Sequence, residues 1–224
     1  MKNLTRREMM GLVAGGTAGV CMAGGCASGG GGVSFTNRVN EDFYGADGAF
    51  DEVAAKKAYY AMMASCNYPI PDRLRSEDFW TLDFGLGAFT EVGMAGIFWV
   101  NNKEHNYMGH EIFLLPGQMI PEHWHVATAD AGAKLEAWHV RHGGVTLFGE
   151  GEPSPGAEKS IPPSHRAIAK ARTMQVVKPG EHGILAGPEQ RHFMVAGPEG
   201  AIVSEYATYH DMAGLRFTHP DVTL

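Results

Sequence analysis

The stretch GQMIPEHWHVATADAGAKLEAWHVRHGG, Gly117 to Gly144, decides how this chain is read. It sets two histidines, His123 and His125, one residue apart, and places Glu136 eleven positions after the second. Side chains two apart on a strand point to the same face, so His123 and His125 can aim at one point. Glu136 can return on a neighbouring strand after the 126–135 loop, and His192 closes the set from a more distant one. Three neutral imidazoles and one carboxylate suit a divalent first-row ion such as Mn, Fe, Co, Ni or Zn. In a chain with 11 histidines a lone His-x-His is weak evidence, and the surrounding glycine spacing is what gives it weight.

Outward from this stretch, short β-like runs are separated by Gly, Pro and Asn turns. They are expected at 95–101, 108–116, 123–126, 135–143, 145–149, 174–179, 183–187, 192–197 and 201–208. Many short strands at close spacing imply an antiparallel sandwich or barrel. Before them, FDEVAAKKAYYAMMASC suggests a helix over 51–65, capped by Asp51 and stopped by Pro69 and Pro71, packed outside the sheet. Ser76 followed by Glu77 and Asp78 suggests a further helical turn at 76–80. The Pro-rich insertion 151–172 reads as a solvated surface loop, with a lid over the barrel mouth as its functional alternative.

The 224 residues hold 44% hydrophobic and 19% charged side chains, ordinary for a globular domain with a real core. The formal charge is −7, and residues 1–25 carry three basic residues against one acidic, so the remainder is more acidic still. No basic footprint for nucleic acid or anionic lipid is present. Of three cysteines, Cys21 and Cys26 lie near the N-terminus and Cys66 alone lies in the body, so no disulfide framework is expected. Residues 1–26 resemble a twin-arginine export signal: Arg6-Arg7, a weakly apolar glycine-rich run, then Ala23-Gly24-Gly25-Cys26, similar to a lipobox. Export to the periplasm, with Cys26 as a candidate lipid anchor, is the expectation. Residues 27–40 read as a flexible linker and 41–224 as the domain.

Gly117, His123-Trp124-His125, Glu136 and Gly143 resemble the first cupin motif, with a ten-residue gap between His125 and Glu136 where three or four is usual. Pro179-Gly180, Gly187-Pro188 and His192 resemble the second, without its usual asparagine. PGQMIPEHWH, AKLEAWHVRHG and AGPEGAIVSEYATYHDMAGLRFTHPDV together look like the D-lyxose isomerase family of sugar-isomerising cupins, over about half the chain. The resemblance implies an all-β cupin (jelly-roll) barrel with a flanking N-terminal helix, and Mn²⁺ bound by His123, His125, Glu136 and His192, with Zn, Fe or Co as alternatives. It also implies a free sugar as substrate and, by analogy, a homodimer. Two departures stand out: Leu135 lies between Lys134 and Glu136, and His110 falls where the family often has lysine.

The implied reaction is an aldose–ketose isomerisation. The metal would polarise adjacent sugar oxygens and stabilise an enediolate while a carboxylate moves the proton between C2 and C1. Glu205 is the expected base, placed there by the resemblance, and Lys134 the next candidate, as an acid or a donor to a substrate oxygen. A cupin dioxygenase and a non-catalytic sugar-binding cupin are the alternatives; Glu205 discriminates, since an isomerase needs a proton shuttle and a binding module does not, and oxygen uptake separates the dioxygenase. Strand parity turns Trp124 away from the ligand histidines and Trp138 towards them. His210, Asp211 and His219 are candidates for the barrel mouth.

Overall fold

The computed structural model describes residues 34–224, so the expected export signal, the lipobox cysteine and the first half of the linker lie outside the described residues. The unit running from Gly32 to Leu224 is mostly β. Its strands are β1 (Trp80–Leu82), β2 (Met94–Asn102), β3 (Tyr107–Leu114), β4 (His123–His125), β5 (Glu136–Gly149), β6 (Thr173–Val177), β7 (His182–Ile184), β8 (His192–Ala207) and β9 (Leu215–Phe217). All nine pair antiparallel in one curled sheet, ordered β1-β2-β3-β8-β4-β9, with β5 pairing β8 and also carrying β6 and β7.

Three local expectations change. The runs 135–143 and 145–149 are one strand, β5, and 192–197 and 201–208 are one strand, β8. They stay continuous because each bends without breaking its ladder, at register shifts flanking His142 and Gly143. The bend demands glycine: Gly143 and Gly200 both adopt positive φ, and a Cβ on Gly143 would collide with the Gly200 carbonyl. The helical turn expected at 76–80 forms instead at Asp72–Arg75, where Pro71 precedes it. Strand structure begins at Trp80, ahead of the first expected run at 95–101, because Trp80 and Leu82 face inward and pair with Gly96 and Met94.

Alternation along the strands divides the core. Inward residues such as Met94, Ile112, Val140, Leu147, Met194 and Val203 fill the curl. Outward residues Ala95, Ile97, Phe113 and Ile202 meet Ala55, Tyr59, Met62 and Met63 of α1 (Glu52–Ser65) on the outer face. Asp51 caps that helix, accepting from the Ala54 N–H at 2.9 Å. Gln118, fully buried, ties the layers together: it accepts from Tyr59 Oη and the Leu115 N–H and donates to the Phe89 carbonyl. The turn that feeds β4 is thus fixed to the helix.

The insertion 151–172 packs Ala157, Ile161, Ala169 and Ala171 into the inner core, and none of its residues lines the cavity described below. Its anchor is Glu122, whose carboxylate accepts from the Lys170 and Ala171 N–H groups and from the Thr218 hydroxyl. Phe35 packs on the outer core, inside the stretch expected as linker.

Candidate metal centre

Period-two geometry brings His123 and His125 of β4 to the inner face. β8 delivers His192 directly opposite His123, and β5 begins at Glu136. One ligand atom from each of these four residues lies within 4.8 Å of the other three. His123 Nδ1 donates to the Pro121 carbonyl and His192 Nδ1 to the Gln190 carbonyl, both at 2.9 Å. A carbonyl only accepts, so each proton sits on Nδ1 and each Nε2 presents a lone pair to the cluster. Both ring nitrogens of His125, His192 Nε2 and Glu136 Oε2 are buried without hydrogen-bond partners. Four converging groups, with lone pairs that the protein itself leaves unsatisfied, fit a divalent cation.

The electrostatics agree with that fit. Burial, reinforced by His192 and His125, pushes His123 well below its ordinary range, so it stays neutral. Burial would raise Glu136, but Lys134 and His192 outweigh it and hold the carboxylate well below its usual range. His192 is pushed down by burial yet ends above its ordinary value because Glu136 Oε2 lies 2.9 Å from its Nε2. A proton and a metal ion therefore compete for that lone pair.

Beside the cluster stands a second buried carboxylate. Lys134 Nζ donates to Glu136 Oε1 at 2.8 Å and to Glu205 Oε1 at 2.5 Å. Burial pushes this amine down, but the two carboxylates prevail and raise it, so it is a cation at neutral pH. Lys134 is 5% exposed, far from a solvated loop lysine, and Glu205 is 4% exposed, far from a surface charge. Burial raises Glu205, and Lys134, with the His110 hydrogen bond, outweighs it and leaves the group ionised.

These groups open onto a cavity of about 280 Å³. Its polar side chains are the four donors, Lys134, Glu205, His110 and His210, and the remaining walls are aromatic and aliphatic. Trp138 lines it against His192, while Trp124 faces outward under the Arg191 guanidinium, 4.3 Å from its ring centre. Of the mouth candidates, His210 lines the cavity, and Asp211 and His219 do not. His142 shares parity with Glu136, but the register shift beside it breaks the alternation and it stays outside the cavity. His110 is the residue that strand reading missed as a site group. Its signal was there, since His110, Ile112 and Leu114 share one parity and therefore one face.

No family model matches the chain. The D-lyxose ketol-isomerase of Cohnella laeviribosi is 36% identical over 141 residues, 62% of this chain and 75% of the relative. The D-lyxose ketol-isomerase of Thermofilum sp. is 34% identical over 140 residues, 62% of this chain and 76% of the relative. Among solved structures, the Cellulomonas parahominis L-ribose isomerase with L-ribose aligns with a TM-score of 0.60 over 75% of this chain and 90% of that chain, at 14% identity. The L-ribose isomerase of Acinetobacter sp. DL28 in complex with L-ribose gives 0.57 over 73% and 89%, at 15% identity. At such identities the likeness is one of fold, a cupin-like barrel. With a buried histidine–glutamate donor set on the inner face of the sheet, and about three quarters of each of these relatives matched, the chain belongs to the D-lyxose ketol-isomerase family of sugar isomerases.

Proposed function

We propose that this protein is a metal-dependent aldose–ketose isomerase acting on a free sugar such as D-lyxose, with D-xylulose as its ketose and an enediol between them. The observation that carries this reading is the Lys134 bridge. One buried amine joins Glu136, a member of the donor set, to Glu205, which is not. A binding module needs the first carboxylate only; an isomerase needs both.

His123, His125, Glu136 and His192 would hold the ion, and Mn²⁺ is the one we favour by family, although Zn, Fe or Co suits the same donors. When bound, such an ion supplies an electrophile for two adjacent substrate oxygens. Glu205 takes the proton from C2 of the open-chain aldose and returns it to C1. The C2–H electron pair becomes the C1=C2 bond as the carbonyl pair moves onto O1; the reverse flow from O2 leaves the ketone. One proton also passes from O2 to O1, so the formula is unchanged and no oxidant is consumed. Lys134 spends two of its three N–H donors on carboxylates and has one left for a substrate oxygen.

Proton NMR of the Mn-loaded protein with a panel of aldopentoses and aldohexoses tests the reading. Interconversion is expected, and Glu205→Gln should lower kcat on the order of 100-fold or more with metal content unchanged. Stoichiometric metal with no aldose converted would overturn it, and oxygen uptake would point to the dioxygenase instead. We also propose that the N-terminal segment exports the protein, to the periplasm or to a lipid anchor at Cys26, and that the barrels pair as a homodimer. Cell fractionation of wild type against Cys26→Ala, and sizing in solution, test these two points.

A further inference from the structure

We propose that His110 is a positioning residue for Glu205: its imidazole fixes the plane of the carboxylate that moves the substrate proton. The inference rests on the isomerase reading, in which Glu205 is the base. It begins with register. Phe98, His110, Glu205 and Trp138 stand directly opposite one another on β2, β3, β8 and β5, forming one row across the inner face. Within that row His110 Nδ1 lies 3.0 Å from Glu205 Oε2, both side chains buried.

The donor follows from the partner. An ionised carboxylate only accepts, so Nδ1 carries a proton and donates it. Nε2 has no hydrogen-bond partner. It faces Gly96, where a Cβ would collide with it and with the Trp80 ring, so the missing side chain is what makes room for the imidazole. The ring packs on Phe98 at 4.5 Å and 16° and on Trp80 at 5.5 Å and 24°, and those two rings touch each other at 6.1 Å, so the three form one cluster. The aromatic cluster and the glycine slot restrict how the imidazole can turn.

That donor completes the hold on Glu205. Its other oxygen, Oε1, accepts from Lys134. A carboxylate tied at one oxygen can still turn about its terminal bond, whereas one tied at both has a fixed plane. A base that must align a lone pair with one C–H bond gains rate from a fixed plane. Lys134 is shared with Glu136, so it cannot follow Glu205 alone, and His110 is the partner dedicated to it.

Two substitutions on the metal-loaded full chain separate this role from space filling. His110→Phe keeps a flat ring against Phe98 and Trp80 and loses the donor. His110→Asn loses the ring and keeps an N–H near the Nδ1 position. The expected result for Phe is a fall in kcat of roughly 10- to 100-fold with KM changed by less than about 3-fold. It should also show a larger isotope effect with C2-deuterated D-lyxose, because C–H cleavage becomes the slower step. Asn should recover at least part of that loss. Gly96→Ala, which displaces the same ring from the opposite side, should lower kcat by itself and add little to His110→Phe. Wild-type kcat and isotope effect in His110→Phe, or a Phe variant at least as active as Asn, would overturn the proposal. If wild type converts no aldose, the isomerase reading fails and this inference falls with it, an outcome recognised before any variant is compared.

Discussion

Lys134 is an unusual residue to bury, and its surroundings explain why it stays charged. Its amine lies between two buried carboxylates that must not face each other alone, Glu136 and Glu205. Removing one partner of a buried charged pair costs about 3–5 kcal/mol, because the partner is left uncompensated. Here removal would leave two. Lys134→Met is therefore expected to destabilise the metal-free protein by roughly that amount in urea unfolding, and to lower kcat once metal is restored. Added Mn²⁺ should recover part of the stability, since a cation at the donor set offsets the charge on Glu136. A variant as stable as wild type in the absence of metal would show that Glu136 or Glu205 is protonated in the fold. The bridge was half visible in advance. Lys134 and Glu205 were each expected at the site, but Lys134 lies before β5, and nothing in the local pattern says that Glu205, some 70 positions later, ends at the same amine.

The strands carry a similar lesson. The His123–His125 pair was legible because a two-residue period needs no knowledge of the neighbours. His110 was not singled out, because its meaning lies in the register that sets it opposite Glu205, and register is fixed by turns and bulges far from both. Likewise β5 and β8 looked like four strands because glycine-rich segments resemble turns, whereas Gly143 and Gly200 bend a continuous ladder. Glu122 shows the same limit in the opposite sense. One residue before β4, it was not singled out, yet its carboxylate is buried by the insertion and by Thr218 just after β9, which it clasps. That makes it the anchor of the strand bearing His123 and His125. Glu122→Ala would strand two backbone N–H donors and a hydroxyl, at a cost of roughly 3 kcal/mol. It should also weaken Mn²⁺ binding by about 10- to 100-fold through the loosened histidines, the usual consequence of removing a ligand's support. Chemical denaturation and calorimetric metal titration measure the two effects. Lost stability with unchanged metal affinity would show that the clasp holds the insertion only.

Taken as one folded unit, the protein relies on histidines kept neutral in places far apart. His123 lies in the donor set, and His165 lies in the insertion, packed against His219 with its rings 5.1 Å apart. Burial, reinforced by His219 and partly opposed by Glu91, pushes His165 down to about 4. A histidine whose folded value is depressed binds its proton more readily once unfolded. The stability it contributes is therefore complete above its ordinary value of 6.5 and is lost as pH falls from there towards 4. His123 has the same sign, since it too lies below its ordinary value. The two contributions are separable. A metal ion that binds only the folded donor set stabilises it by mass action, about 2.7 kcal/mol at a hundred times the dissociation constant. Protons oppose that gain at His123 and His192, whereas His165 never meets the ion. Tm measured from pH 7 to 4.5 should therefore fall with acid both with and without Mn²⁺, and the gain from Mn²⁺ should itself shrink as pH drops. His165→Phe, which fills the same buried space without a titrating group, should make the fall shallower in both conditions and leave the Mn²⁺ gain at pH 7 unchanged. A Tm profile of His165→Phe that runs parallel to wild type between pH 6.5 and 4.5 would place the acid sensitivity of this fold in its metal centre alone.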